Sequence, residues 1–379
     1  MISWRVRDRW SPTMRVLARL GIFMLGLVLT LAAGEGMVRL LVSVLHREPL
    51  VVSDPAAGWT GKPGLRDTLK VYAGGVYQLS TDAQGRRAVL EPGREPPPSS
   101  KTLLLLGDSF VAGMGVADHE TFAWLLAHEL PLAVVNLGVI GYGTDQELLK
   151  LEGFLAAGSG VSGGEIVVLV FDNDFMDVQR AFEPYLARTK PRFSIAGGGD
   201  EGEAGPPRSS DQGQPSHEPE PKGVGDGEGL ALVRGAYRLS PLDRLMDTSR
   251  LFWFLRSRLS LLRMPEDPPS AKGLDLVVCC LEAMRRATEA HGAHLHVLAH
   301  RRLRGLSPID ETLLRTFLDR AGAIDITDRV RGGAGPDPVG PDPVGPDGVH
   351  WSAEGHRRVA SIIEEELQRC QGAPARLLE

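Results

Sequence analysis

The sequence predicts an α/β fold built on a parallel sheet, and three observations carry that expectation. Short continuous apolar runs at 103–106 and 166–171 read as strands buried on both faces, as in a sheet covered by helices. These runs alternate with stretches whose apolar residues fall at helical spacing, which gives strand, helix, strand, helix, strand with right-handed crossovers. The runs also stop at small or polar groups, Gly107-Asp108-Ser109 and Asp172-Asn173-Asp174. Polar groups are thereby placed at the carboxyl edge of the sheet, where open α/β proteins bind ligands.

The N-terminus comes first in the chain. Residues 20–33 are 14 positions without a charge, and Arg5, Arg7, Arg9, Arg15 and Arg19 precede them against only Asp8. Positive charge ahead of an apolar run keeps that end in the cytoplasm. Residues 1–45 are therefore expected to be a cytoplasmic tail and a single-pass inner-membrane anchor, with the rest of the chain periplasmic or otherwise extracytoplasmic. The uncharged run is shorter than the roughly 17 residues a span needs, and a snorkelling Arg19 would add Val16 and Leu17 to it. Cleavage near Ala32 or Gly34, which would release a secreted protein, is the alternative. Residues 46–100 are rich in Pro and Gly, with strand-like pieces around Val71 and Val76, and read as an extended linker region.

The main domain is expected over 101–369. Its strands are 102–106, 133–135, 166–171, 294–298 and 324–326. Helices are expected near 120–130, after Thr144, over 240–264, 272–291 and 309–321, and from Ala353 to Leu367. Thr144 with Glu147 three residues on reads as a capping box. Residues 196–229 hold eight Asp or Glu against two Lys or Arg among Gly, Pro and Ser, so they are expected to be a disordered acidic insertion. A tandem repeat at 335–344 reads as loop, and 370–379 as a tail. The apolar cluster at 251–255 is expected to pack in the core, with capping of an acyl pocket as the alternative.

Composition narrows the function. A formal charge of -6 gives no reason to expect nucleic acid as a partner. Three cysteines, two of them adjacent in an apolar helical run, form neither a metal-ligand pattern nor a disulfide framework.

The chemistry-bearing residues suit acyl transfer. Ser109 ends a buried strand, and a serine hydroxyl becomes a nucleophile when a base takes its proton. His350 can be that base if an acceptor holds its other ring nitrogen, and Asp347 lies three residues upstream, on the same side of a turn. Oxyanion donors are also needed. The N–H groups of Ser109 and Gly141 and the side-chain amide of Asn173 all lie just past strands. Rivals exist: Ser80 as nucleophile, His356 as base, Asp337 and Asp342 as acids. His300 falls at the same sheet edge, where a binding role is open to it.

In this order the residues resemble the SGNH (GDSL-type) hydrolase superfamily. Gly107-Asp108-Ser109-Phe110 is similar to its first block, Asn136-Leu137-Gly138-Val139-Ile140-Gly141 to its second, Phe171-Asp172-Asn173-Asp174 to its third, and Asp347-Gly348-Val349-His350 to its last. The resemblance spans about 101–369. It implies a three-layer α/β/α sandwich on a parallel five-stranded flavodoxin-like sheet. It also implies Ser109 as nucleophile and Ser109, Gly141 and Asn173 as oxyanion donors, with Gly138 the lesser alternative to Gly141. Phe171 stands where the family has glycine, which narrows the expected pocket. The implied activity is hydrolysis of carboxylic esters without metal or organic cofactor. The implied partners are an ester or an O-acylated envelope glycan, and the membrane through the N-terminal helix. An O-acyltransferase on the same residues and a non-catalytic carbohydrate-binding assembly protein are the alternatives.

Overall fold

The computed structural model describes residues 11–97, 101–158, 160–196, 232–263, 269–305, 307–333 and 341–370. At its centre is a five-stranded sheet of β1 (Thr102–Leu106), β2 (Ala133–Asn136), β3 (Glu165–Phe171), β4 (His294–His300) and β5 (Ile324–Asp325). The spatial order is β2-β1-β3-β4-β5 and every pairing is parallel. This is the flavodoxin-like order. It reverses direction between β1 and β3, and that switch point is where such sheets bind ligands.

The two central strands are continuously apolar over 103–106 and 166–171 because both their faces are covered. Leu104, Leu106, Ile166, Val168 and Val170 point into one core. It is closed by α3 (Thr144–Ala156), α6 (Ala271–Ala290) and α7 (Glu311–Ala321) through Leu148, Leu151, Val277, Leu281 and Phe317. Leu103, Leu105, Val167 and Leu169 point into the other core, closed by α2 (Phe122–Glu129) and α8 (Ala353–Cys370) through Phe122, Leu126, Val359 and Ile363. Strand alternation thus feeds two cores, and the three-layer α/β/α sandwich is the observed architecture.

Ahead of the sheet runs α1 (Pro12–Val44), a helix long and apolar enough to cross a membrane. Its 33 residues extend for about 50 Å at 1.5 Å each. Its far end joins α4 (Pro241–Thr248) and α5 (Arg250–Ser260). Glu35 accepts the backbone N–H groups of Arg250 and Leu251 and the Ser249 hydroxyl, while Arg39 donates to the Thr248 carbonyl.

Several expectations need correction. Residues 46–97 are not an extended linker. They form two antiparallel hairpins, Val51–Asp54 with Gly58–Gly61 and Thr68–Tyr72 with Gly75–Leu79, that pack on the sandwich. Glycine and proline here serve turns: Gly74 (φ +83°) follows Ala73 (φ +48°) in the second hairpin's turn. Trp59, Tyr77 and Leu79 are buried, and Trp59 belongs to the core closed by α3 and α6. Thr144 is not a cap either. Gly143 holds that position, and the Thr144 hydroxyl donates to Asp174 Oδ1 at 2.9 Å. The predicted 240–264 helix is two helices, and Phe254 and Leu255 are exposed, not core. The acidic insertion beyond residue 196, residues 335–340 of the tandem repeat and the tail beyond residue 370 lie outside the described residues. The strands on either side of the insertion, Phe193–Ile195 and Leu232–Arg234, pair with each other.

Candidate active site

The turn after β1 is set by its own backbone. A side chain at Gly107 would meet Val111 Cγ2 at 2.2 Å, so only glycine lets the chain fold back there. Asp108 Oδ1 accepts the Phe110 N–H at 2.9 Å, and the carbonyls of Asp108 and Ser109 accept the N–H groups of Ala112 and Met114. Ser109 is left at the rim with its Oγ 2.7 Å from His350 Nε2. On the far side of the ring, His350 Nδ1 lies 2.5 Å from Asp347 Oδ2. The other oxygen, Asp347 Oδ1, accepts the N–H groups of Val349 and His350 at 3.1 and 3.0 Å. Acid and imidazole are thus locked in one tight turn, which Gly348 (φ +75°) makes feasible. With a carboxylate on Nδ1, the ring proton sits there and Nε2 is free to accept the serine hydroxyl. Burial pushes the Asp347 carboxyl up, but hydrogen bonds from His350, Val349 and Tyr72 outweigh it and hold the group well below its ordinary value.

The imidazole also rests on aromatic rings. Phe110 lies under it at 4.9 Å between centroids and contacts Phe171, His300 and Trp351 in turn. Phe171 is therefore part of the buried floor and does not narrow a pocket. His300 is buried in the same floor, where its Nε2 accepts the Trp351 indole N–H at 3.0 Å. Burial depresses its pKa to about 3, so it is neutral. The rival base His356 is likewise buried, pushed down to about 3, and accepts the Phe122 N–H at 3.2 Å at the start of α2. Asp342 pairs with Arg304 on the surface, and Asp337 lies outside the described residues. Ser80 Oγ accepts the Asp67 N–H in the second hairpin.

The three proposed oxyanion donors differ. Neither the Ser109 nor the Gly141 N–H has an acceptor among the described residues. Gly141 sits at φ +75°, and a side chain there would press on Leu186 Cδ1 at 2.9 Å. The Gly138 N–H is already spent on Asn136 Oδ1 at 2.9 Å, which removes Gly138 as the alternative. Asn173 follows β3, but its amide is engaged: Nδ2 donates to Asp177 Oδ2 at 2.7 Å and more weakly to Asp108 Oδ2 at 3.4 Å. One amide hydrogen is therefore held firmly and the other loosely. The loosely held hydrogen is the one an oxyanion could take.

Three site residues were not singled out in the sequence: Tyr72 and Trp59 from the hairpins, and Arg87 just after them. Tyr72 Oη donates to Asp347 Oδ2 at 2.9 Å and lies 3.3 Å from His350 Nδ1. Arg87 is buried, pairs with Asp118 and donates to the carbonyls of Ala112, Gly113 and Val116, the loop that leaves Ser109. Trp59 Nε1 donates to the Ile140 carbonyl at 2.9 Å, and Tyr142 Oη donates back to the Trp59 carbonyl at 2.5 Å, gripping the Gly141 turn from both sides. The only local signal was aromatic and basic residues at ordinary strand and turn positions, which nothing distinguishes from surface.

Behind the switch point lies a buried set of carboxylates. Burial raises Asp108 to about 6 and Glu183 to about 7, and raises Asp145, Glu147, Asp174 and Asp177 as well. Lys190 pairs with Asp145 at 2.8 Å and Arg180 with Asp177 at 2.9 Å. A cavity of 400 Å³ adjoins Tyr72, Met114, Ile140 and Leu186 and reaches Leu50 and Trp253. A larger one, 970 Å³, lies beyond Arg87 and touches none of the five predicted site residues.

No protein-family model matches the chain, and no curated protein matches it. Among solved structures it is similar to TesA, with 14% identity, 71% of this chain and 99% of that one covered, and a TM-score of 0.37. It is also similar to a putative lipolytic protein of the G-D-S-L family from Desulfitobacterium hafniense, with 8% identity, coverage of 70% and 99%, and a TM-score of 0.37. A GDSL-like lipase from Bacteroides thetaiotaomicron is 10% identical over 71% and 89%, with a TM-score of 0.34. Overlaps this loose carry no chemistry from those proteins to this one.

Proposed function

We propose that the protein is a membrane-anchored serine esterase of the SGNH type, hydrolysing O-acyl esters, with cell-envelope glycans as the substrate class. The observation that carries the reading is the hydrogen-bonded chain Ser109–His350–Asp347, closed between residues 241 positions apart. Ser109 Oγ attacks the ester carbonyl as His350 Nε2 takes its proton, and Asp347 holds the imidazolium that forms. The Ser109 and Gly141 N–H groups and the loosely held Asn173 amide hydrogen receive the oxyanion. His350 then returns the proton to the leaving alcohol, and a water, deprotonated in its turn by His350, releases the acyl group. The basic residues ahead of the apolar stretch of α1 support an anchor with the domain on the periplasmic side, and the bonds from Glu35 and Arg39 to α4 and α5 tie the segment after that stretch to the domain.

The test is covalent labelling of the full chain in detergent with a fluorophosphonate, alongside turnover of a short-chain aryl ester. The native chain is expected to label, and Ser109→Ala to lose both labelling and at least about 10⁴-fold in kcat. A native chain that neither labels nor turns over the ester points to the binding protein. Acyl transfer to an added glycan in place of hydrolysis points to the transferase.

A further inference from the structure

α5 has two unlike faces. At 100° per residue, Trp253, Ser257 and Ser260 fall on one side. That side meets the domain: Ser260 Oγ donates to the Pro184 carbonyl, and Trp253 and Ser257 line the 400 Å³ cavity. Phe254, Leu251, Leu255 and Leu259 fall on the other side, and Leu262 continues it. Apart from Leu251, this second face is bare: Leu255 is 49%, Leu259 62% and Leu262 82% exposed. A soluble domain rarely leaves such a row uncovered.

The start of this face is fixed by α1. Glu35 caps the N-terminus of α5, so the start of α5 is pinned to that level of α1. Leu251, first in the apolar row, lies against Gly34, a side chain at which would meet Leu251 Cδ2 at 3.3 Å. Gly34 is on the N-terminal side of Glu35, toward the exposed apolar stretch of α1. The row thus begins beside the apolar stretch of α1. Its one charge is Arg258, whose guanidinium lies 5.4 Å over the Phe254 ring, an arrangement suited to a side chain that reaches sideways to headgroups.

We infer that α5, with the turn that follows it, is an interfacial membrane element: its Leu255–Leu259–Leu262 face is seated in the bilayer surface beside α1, and this holds the cavity wall formed by Trp253 at headgroup level. The occupant is the lipid surface. Amphipathic helices with Trp, Phe and Leu opposite polar residues bind there, about 5–10 Å into the headgroup boundary. The inference rests on α1 being an uncleaved anchor, and it is independent of the esterase chemistry.

The test uses the full chain in nanodiscs of phosphatidylethanolamine and phosphatidylglycerol, with Cys370→Ser removing the exposed thiol. Single nitroxide labels go at Leu255→Cys, Leu259→Cys and Leu262→Cys. Leu25→Cys in α1 reports the anchor, and Arg315→Cys on the outer face of α7 reports water. The three α5 labels are expected to collide with oxygen more than with a water-soluble nickel chelate, as Leu25→Cys does, and Arg315→Cys to show the reverse. Nickel accessibility at α5 equal to that at Arg315→Cys, with Leu25→Cys still in lipid, overturns the inference and leaves the anchor intact. An aqueous Leu25→Cys overturns both. Spin–spin broadening between singly labelled chains overturns it in favour of contact between copies. Three positions on one face give independent readings, so a single variant that fails to fold does not remove the test.

Discussion

Asp347 Oδ2 receives two donors, His350 Nδ1 and the Tyr72 hydroxyl. Burial, then the bond and charge of Asp347, raise the Tyr72 pKa well above its usual value, so the phenol stays protonated and donates. We expect Tyr72 to act as a positioning residue that keeps the carboxylate turned toward the imidazole. A hydrogen bond to a charged group contributes about 1.5–3 kcal/mol, and only part of that is felt in the transition state. Tyr72→Phe should lower kcat on a soluble aryl ester about tenfold with KM little changed. Steady-state kinetics checks this, and wild-type kcat in the variant would rule out the role. His300 and His356 show the opposite case: on paper one is open to a binding role and the other is a rival base, and both are buried neutral rings with structural partners.

The element that matters beyond the sandwich is the pair of hairpins. The first grips the Gly141 turn through Trp59, and the second brings Tyr72 to Asp347. Arg87, just after them, binds three carbonyls of the loop leaving Ser109. Removing one partner of a buried pair costs about 3–5 kcal/mol because the other is left uncompensated. Arg87→Ala strands Asp118 and three carbonyls, so its urea midpoint should fall by an amount in that range once multiplied by the denaturant slope. A fragment starting at Lys101 should be insoluble or unfolded, since it exposes the core faces that Trp59 and Leu79 cover. A soluble, cooperatively melting fragment would show that the hairpins are dispensable.

For the molecule as a whole, the buried carboxylates behind the site make stability depend on pH. Glu183 titrates near 7 in the folded chain against an ordinary 4.5, and Asp108 near 6 against 3.8. A raised carboxyl binds its proton more tightly when folded. Its stabilising effect is full below the ordinary value and is lost as pH rises through the folded one. The buried His300 and His356 are shifted down and act oppositely below pH 6.5, so the net profile mixes both signs. Comparison with Glu183→Gln isolates one group: the native chain should gain stability relative to that variant as pH falls from about 7 to 4.5. Denaturation midpoints at pH 5 and pH 8 measure it, and a constant difference would contradict it.

By itself the sequence determined the five strands of the central sheet, most of the helices, the parallel α/β class and the closeness of Asp347 to His350. These are local or periodic features. Runs such as 103–106 must be apolar throughout to lie between two cores, and Asp347 and His350 face each other because they share one turn. The tertiary structure decided what depends on distant residues meeting. Tyr72 and Asp347 touch across 275 positions, and Trp59 grips a turn 81 residues on, yet neither contact leaves a spacing to read. The same holds for the hairpins taken for linker, whose Gly and Pro are equally at home in tight turns. It holds too for the 251–255 cluster, since apolar side chains on a helix look alike whether a core or a bilayer covers them. Only the contacts of Glu35 and Gly34 place the start of that row beside α1.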